Sequence, residues 1–231
     1  QRQMCIRDSL YADASEVQQT VGPTISGGLD FMDGSAGGQR FFVEDDGFPN
    51  LLLNAVSARL RSGALHPAAL VLRAHLRRLL RRDNPLGGVM MWLGEGVDAG
   101  DGAFYLGRRF LAPWEREMKL AWQIDRSRDV IDQILEIHRR LSEANGGRLL
   151  VPFTWSLLRA LVTVHPLGGC GMGTSPGNGV VDHRGEVFGY PRLYVVDGAV
   201  VPRPIGRNPS LTIAALAERA AALMIDEMGS A

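Results

Sequence analysis

Cysteine is nearly absent. Only Cys5 and Cys170 occur, and neither belongs to a CxxC pair or to a Cys/His cluster at metal-ligand spacing. A disulfide framework and a structural zinc site are therefore unsupported. No apolar run reaches the roughly 18 residues that a spanning helix needs, and the first residues lack the apolar core of a signal peptide. Net charge is missing as well, because 25 Lys and Arg are balanced by 25 Asp and Glu. With no global field, neither nucleic acid nor an anionic membrane is recruited by charge alone, so any charged site has to be local. Also absent is a Gly-x-Gly-x-x-Gly loop of the kind that seats a dinucleotide pyrophosphate; the glycines at 168, 169, 171 and 173 fail its spacing. The compartment stays open.

What is present is a chain of 231 residues with 45% hydrophobic content, enough for one domain or two small ones. Residues 1–9 (QRQMCIRDS) share no pattern with the rest of the chain and read as a non-native leader. From Thr24 to Asp45 the order TISGGLDF, DGSAGG, QRFFVED predicts two strands joined by a Gly/Ser-rich turn. Phe48 to Arg61 has near-helical apolar spacing, with Gly63 as its stop. Pro67 to Arg82 sets leucines on one face and Arg73, Arg77, Arg78, Arg81 and Arg82 largely on the other, which predicts a basic amphipathic helix. A solvated arginine face is the simpler reading; peripheral contact with a lipid surface is the alternative.

Gly88–Leu93 and Ala103–Leu106 read as strands separated by the loop EGVDAGDG. That loop holds Glu95, Asp98 and Asp101, but calcium-loop spacing is absent and a solvated turn is expected. Asp125–Ala144 reads as a long helix stopped by Asn145-Gly146-Gly147, with His138 on its apolar stripe as a hydrogen-bonded core histidine.

The stretch that carries chemistry begins at Leu161-Val162-Thr163-Val164, a β-branched strand delivering His165-Pro166-Leu167-Gly168-Gly169. A strand-end histidine followed by proline and paired glycines is rigidly held where backbone can approach a flat ligand, which suits a proton acceptor; a structural histidine is the competing reading. Gly179–Asp182 and Glu186–Tyr190 read as a hairpin around His183-Arg184-Gly185, with His183 exposed. Tyr194-Val195-Val196 reads as a short strand of a parallel sheet ending in Asp197-Gly198. Asn208-Pro209-Ser210 then opens an Ala/Leu-rich helix, with Asn208 as its cap, a face expected to pack tightly on a sheet and a positively polarised end suited to an electron-rich ligand.

In this order, HPLGGCGMG and GVVDHRGEVFGYPRLYVVDGAVVPRPIGRNPSLTIAALAE closely resemble the C-terminal region of glucose-methanol-choline (GMC) oxidoreductases of the cholesterol-oxidase type. The upstream GPTISGGLDF, FFVEDDGFP and GEGVDAGDGAFYLGRR resemble the family's substrate domain less distinctively. The resemblance implies an α/β fragment of a two-domain fold. Residues 10–160 would be mostly substrate-binding domain, and 161–231 the C-terminal part of a Rossmann-like FAD-binding domain. It implies His165 and Asn208 as the catalytic pair. Asp197, Gly198, Asn208, Pro209 and Ser210 would line FAD, and no metal is implied.

The implied activity is FAD-dependent oxidation of an alcohol, a 3β-hydroxysteroid first and another alcohol second, with a small-molecule alcohol or sterol as the partner and neither nucleic acid nor an obligate protein partner. A non-enzymatic lipid-binding module is the third reading. The family's substrate-side glutamate is not assigned by the sequence; Glu44 and Glu95 are its candidates. Because the pyrophosphate loop is missing, the chain is expected to be a piece of a longer enzyme, inactive by itself.

Overall fold

A long amphipathic helix lies across one face of an antiparallel sheet, and that contact organises the core. The computed structural model describes residues 2–5, 9–10, 22–47, 89–110, 112–151, 155 and 161–229. The two helices expected within 48–88 lie outside this set.

Strands β1 (Arg2–Cys5), β2 (Ser9–Leu10), β3 (Gly28–Asp30), β4 (Phe41–Asp46) and β5 (Val89–Gly96) come first along the chain. Strands β6 (Ala103–Arg109) and β7 (Ala112–Ala121) follow, then helix α1 (Arg128–Ala144), β8 (Arg148–Leu149), β9 (Val162–Pro166) and helix α2 (Ser210–Gly229). The main sheet has the order β3-β4-β5-β2-β8, with every adjacent pair antiparallel. β6 and β7 form a separate hairpin, and β1 pairs with β9 so that Gln3 lies opposite His165. The segment set apart as a leader thus pairs with the strand that carries His165.

The β4–β5 register places Phe41 opposite Gly96, Val43 opposite Gly94, and Phe42 opposite Glu95. Because side chains alternate across a strand, Phe41, Val43 and Gly94 share one face while Phe42, Glu44, Leu93 and Glu95 share the other. Phe41 and Val43 are fully buried with Val130, Ile131, Ile134 and Ile137 of α1 and with Trp155. A methyl group on Gly94 would come 2.3 Å from Ile134 Cγ2, so only glycine admits the helix at this depth.

α1 forms where the sequence predicts it. Its apolar stripe faces the sheet, and its end is set by Gly146 at φ 70° with Gly147 N–H donating to the Ser142 carbonyl at 2.7 Å. Arg139 bridges Glu136 and Glu143 on the solvent side. His138 is buried as expected, but neither ring nitrogen has a hydrogen-bond partner among the described residues, which corrects the expectation of a hydrogen-bonded histidine.

Three further expectations change. Glu95 is not on a solvated turn: β5 runs on through Gly94-Glu95-Gly96, and Glu95 is completely buried. Tyr194–Val196 forms no regular strand among the described residues. Tyr194 makes one isolated antiparallel bridge to Glu186, and Leu193 and Val196 are exposed. Without flanking parallel strands, an apolar run of three residues has no ladder to join. α2 also fails to pack tightly on a sheet. Ala220 is its one buried residue among those described, and Leu211, Ile225 and Met228 are exposed. It is held instead by polar anchors, Arg184 to Glu227 at 2.8 Å and Arg219 to the His183 carbonyl. Among the described residues no helix is long and apolar enough to cross a membrane.

Candidate functional site

The face of β4 and β5 turned away from α1 carries two buried carboxylates. Glu44 and Glu95 lie diagonally across the strand pair, since Glu95 faces Phe42 and Glu44 is two residues further along. They are 1% and 0% exposed. Buried carboxylates need partners, and each has one from the C-terminal part of the chain.

Glu44 accepts two hydrogen bonds from the Asn208 side-chain amide, at 2.8 and 3.1 Å from Nδ2. Burial pushes the Glu44 carboxyl up; the Asn208 amide opposes this, the neighbouring Glu95 raises it further, and His165 acts the other way. The net direction is up. Asn208 is therefore committed to Glu44 through its Nδ2. Helix α2 begins at Ser210, so the residue before its first turn is Pro209, whose carbonyl accepts from Ile213 N at 2.9 Å. The expectation that Asn208 caps the helix is corrected on this geometry.

Glu95 meets His165, with Nδ1 at 2.6 Å from Oε1. The two atoms are in close polar contact, although the ring N–H is not aligned for a hydrogen bond. His165 sits at the end of β9 with its backbone N–H donating to Thr163 Oγ1 at 3.3 Å. Its side chain is 22% exposed, so the imidazole bridges a buried carboxylate and open space.

The remaining expected residues join these elements. Asp197 accepts from Ala199 N at 2.8 Å and caps a short 3-10 turn at Gly198–Val200. That turn is tied to the loop after His165, because Gly168 N–H donates to the Gly198 carbonyl and Cys170 N–H to the Ala199 carbonyl. A Cβ on Gly198 would lie 3.2 to 3.3 Å from the Pro166 carbonyl, Leu167 Cδ2 and Ile213 Cδ1, so the glycine is wedged between the His165 loop and the first turn of α2. Pro209 is buried and Ser210 exposed. The first amides of a helix have no carbonyl within it to bind, so this end of α2 presents its first N–H groups from Ser210 on, two residues beyond Asn208.

The structure thus joins His165 to Glu95 and Asn208 to Glu44 on one sheet face, with Gly198 and the start of α2 alongside. Sequence reasoning named both glutamates and assigned neither. The missed signal is the isolated acid at Glu95 inside an apolar strand, flanked by Gly94 and Gly96. Chemically, the cluster can hold a proton on a buried carboxyl, offer an imidazole nitrogen to a ligand and present an amide end to negative charge. Among the described residues no group of three or more His, Cys, Asp or Glu is placed to hold a metal ion.

Part of the chain is similar to known proteins. Residues 117–217 match the GMC oxidoreductase model for the family's C-terminal region. A cholesterol oxidase of Mycobacterium tuberculosis is 54% identical over 89 residues, covering 38% of this chain and 15% of that protein. A cholesterol oxidase of Acinetobacter baumannii is 42% identical over 90 residues, covering 39% of this chain and 16% of that protein. A paromamine 6'-oxidase of Streptomyces fradiae is 44% identical over 66 residues, 29% of this chain and 12% of that protein. The matched segments therefore span about a sixth or less of these relatives.

A solved pyridoxine 4-oxidase from Mesorbium loti superimposes with a TM-score of 0.55 at 17% identity, covering 96% of this chain and 42% of that one, a likeness of fold alone. Residues 117–217 thus match the C-terminal model of the GMC oxidoreductases, on an α/β chain whose fold is like that of the solved pyridoxine 4-oxidase.

Proposed function

We propose that this chain supplies the substrate-facing part of an FAD-dependent alcohol oxidase, with a 3β-hydroxysteroid as its alcohol. The carrying observation is that His165 and Asn208 are each joined to a buried carboxylate on one sheet face. The 54% identity to a cholesterol oxidase over 89 residues supports the steroid.

The residues present fit one edge of a flavin ring. The free amides at the start of α2 and the side of the Asp197-Gly198 turn would face it, with Pro209 and Ser210 at the helix end. A helix amino terminus favours negative charge, which is what the pyrimidine edge of a reduced flavin carries. The bound flavin would supply hydride acceptance.

The chain's own groups would handle the proton. His165, half-open and backed by Glu95, would take or orient the hydroxyl proton of the substrate, and Asn208, its Nδ2 committed to Glu44, would hold that carboxyl beside the substrate without adding charge. Glu44, buried and shifted toward its protonated form, would be the substrate-side carboxyl able to store or move a second proton. The pyrophosphate has no Gly-x-Gly-x-x-Gly seat in this sequence, so the chain by itself is expected to hold FAD weakly.

A second alcohol class has support of its own, because a long-chain-alcohol oxidase of Arabidopsis thaliana is 32% identical over 66 residues and the paromamine oxidase 44% over its 66. A chimaera discriminates between them. The matching C-terminal part of the Mycobacterium tuberculosis cholesterol oxidase is replaced by this chain, loaded with FAD, and assayed on 3β-hydroxysteroids, long-chain alcohols and aminoglycosides. Turnover of the steroid, lost in His165→Asn, is the expected result. Preference for another alcohol would establish the second reading, and a flavin-loaded chimaera inactive on every alcohol would overturn both.

A further inference from the structure

We infer that Glu95 is a positioning residue that fixes the tautomer of His165, holding the proton on Nδ1 and leaving Nε2 as the lone-pair nitrogen offered to the ligand. The assignment of Nε2 to the substrate rests on the alcohol-oxidase reading; the pairing itself does not.

At 2.6 Å between His165 Nδ1 and Glu95 Oε1, two facing lone pairs would repel, so one of the two atoms carries a proton, although the ring N–H does not point straight along the contact. Glu95 is fully buried, and neither of its oxygens has a hydrogen-bond partner among the described residues, so His165 is the group there that compensates it. Glu44 stands on the same sheet face, and two close carboxyls share protons unequally. Burial pushes the Glu44 carboxyl up, toward keeping the proton of the two, and the contact itself sets Glu95 Oε1 opposite His165 Nδ1 as its acceptor. A carboxylate behind an imidazole selects the tautomer through whichever ring nitrogen it faces.

Local sequence explains why Glu95 can do this. It lies in β5 between two glycines, and a Cβ on Gly94 would lie 2.3 Å from Ile134 Cγ2 and 3.4 Å from the His138 ring, so the strand has no room to roll under α1. The carboxylate is thereby fixed on the opposite face. His165 is fixed in turn by β9 and by the bonds from Gly168 and Cys170 to the Gly198 turn. Both side chains thus meet from backbones held in place.

The test is imidazole nitrogen NMR on the full chain labelled at histidine, with the His165 signals assigned by their loss in His165→Asn. A pyrrole-type Nδ1 and a pyridine-type Nε2 are expected for His165 in the unsubstituted chain. Glu95→Leu is expected to abolish that pattern in favour of the Nε2–H tautomer common to free imidazoles. Glu95→Gln, whose carbonyl can still accept, is expected to retain a pyrrole-type Nδ1. A pyridine-type Nδ1 in the unsubstituted chain overturns the inference even if Glu95→Leu does not fold, and so does an unchanged pattern in a folded Glu95→Leu. In the flavin-loaded chimaera, Glu95→Leu should lower kcat on the order of 10- to 100-fold, the scale for losing an outer-shell histidine partner, with KM little changed. Failure of the chimaera on all alcohols with the tautomer intact removes the functional reading and leaves the pairing standing.

Discussion

Gly94 of β5 and Ile134 of α1 meet so closely that a Cβ built on the glycine would lie 2.3 Å from Ile134 Cγ2. The same strand turns Glu95 to the opposite face, so the packing of the core and the aim of the site share one backbone. Gly94→Ala should therefore destabilise the chain by about 1 to 3 kcal/mol, the usual cost of overpacking a filled core. Chemical denaturation measures it. Ile134→Ala alone should cost about 2 to 5 kcal/mol through its cavity. Combined with Gly94→Ala it should cost clearly less than the sum, because the new methyl enters the space vacated. Strict additivity would show that the two residues do not touch.

His138, on the same helix, gives the core a dependence on pH. Burial depresses its pKa from 6.5 to about 3, so it stays neutral in the fold while the unfolded chain takes up a proton below about 6.5. The unfolded state then binds more protons, and stability falls with falling pH. The contribution is full above 6.5 and is lost progressively down to about 3, at up to about 1.4 kcal/mol per pH unit. His138→Leu should flatten the stability curve across this window relative to the unsubstituted chain. Parallel curves for the two proteins would show that His138 is not neutral in the fold.

The sequence made α1 readable because Ile131, Ile134 and Leu135 recur at the helical period and Asn145-Gly146 stops them. β9 was readable because a β-branched run ends on His165-Pro166. β7 was not, since its strand APWEREMKLA holds Pro113 and a charged run from Glu115 to Lys119 that hides the alternation. The hairpin exists because β6 supplies a ladder, a non-local fact. Within the site, His165 and Asn208 could be singled out from a dense local motif, whereas their carboxylate partners could not. The bond from Asn208 to Glu44 spans 164 positions, and no local pattern encodes such a meeting. Only the strand register that sets Glu44 and Glu95 on one face makes them a pair.

Arg184 holds the turn before α2 to the far end of that helix. Its guanidinium reaches Asp182 at 3.0 Å, Glu186 at 2.9 Å and Glu227 at 2.8 Å. Glu227 is largely exposed, so Glu227→Gln removes a solvent-screened arm and should cost about 0 to 1 kcal/mol. Arg184→Met also strips the donor from Asp182 and Glu186, which lie close together in the turn, and should cost more than Glu227→Gln. Hydrogen exchange along α2 distinguishes the two. Both variants should speed exchange near Glu227, and only Arg184→Met should speed it in the 182–187 turn as well. Equal exchange in that turn would show that the inner arms carry nothing.

Glu44 provides the opposite pH sign from His138. Burial raises its folded pKa above the ordinary 4.5, with Glu95 adding to the effect and the Asn208 amide holding it back. The fold therefore keeps a proton that the unfolded chain releases. The stability that Glu44 contributes is present below about pH 4.5 and is lost as pH rises through the folded value. Glu44→Gln keeps the shape and an oxygen for Asn208 Nδ2 while removing the ionisation. It should raise the Tm at neutral pH, and the difference should shrink as pH is lowered toward 4.5, where both side chains are neutral. Asn208→Leu should act the other way, because it strips the donor from a carboxyl that is 1% exposed and cannot turn to water. A Glu44→Gln protein less stable than the unsubstituted chain at neutral pH would mean that Asn208 holds Glu44 ionised, and the carboxyl could then not serve as a proton store beside the substrate.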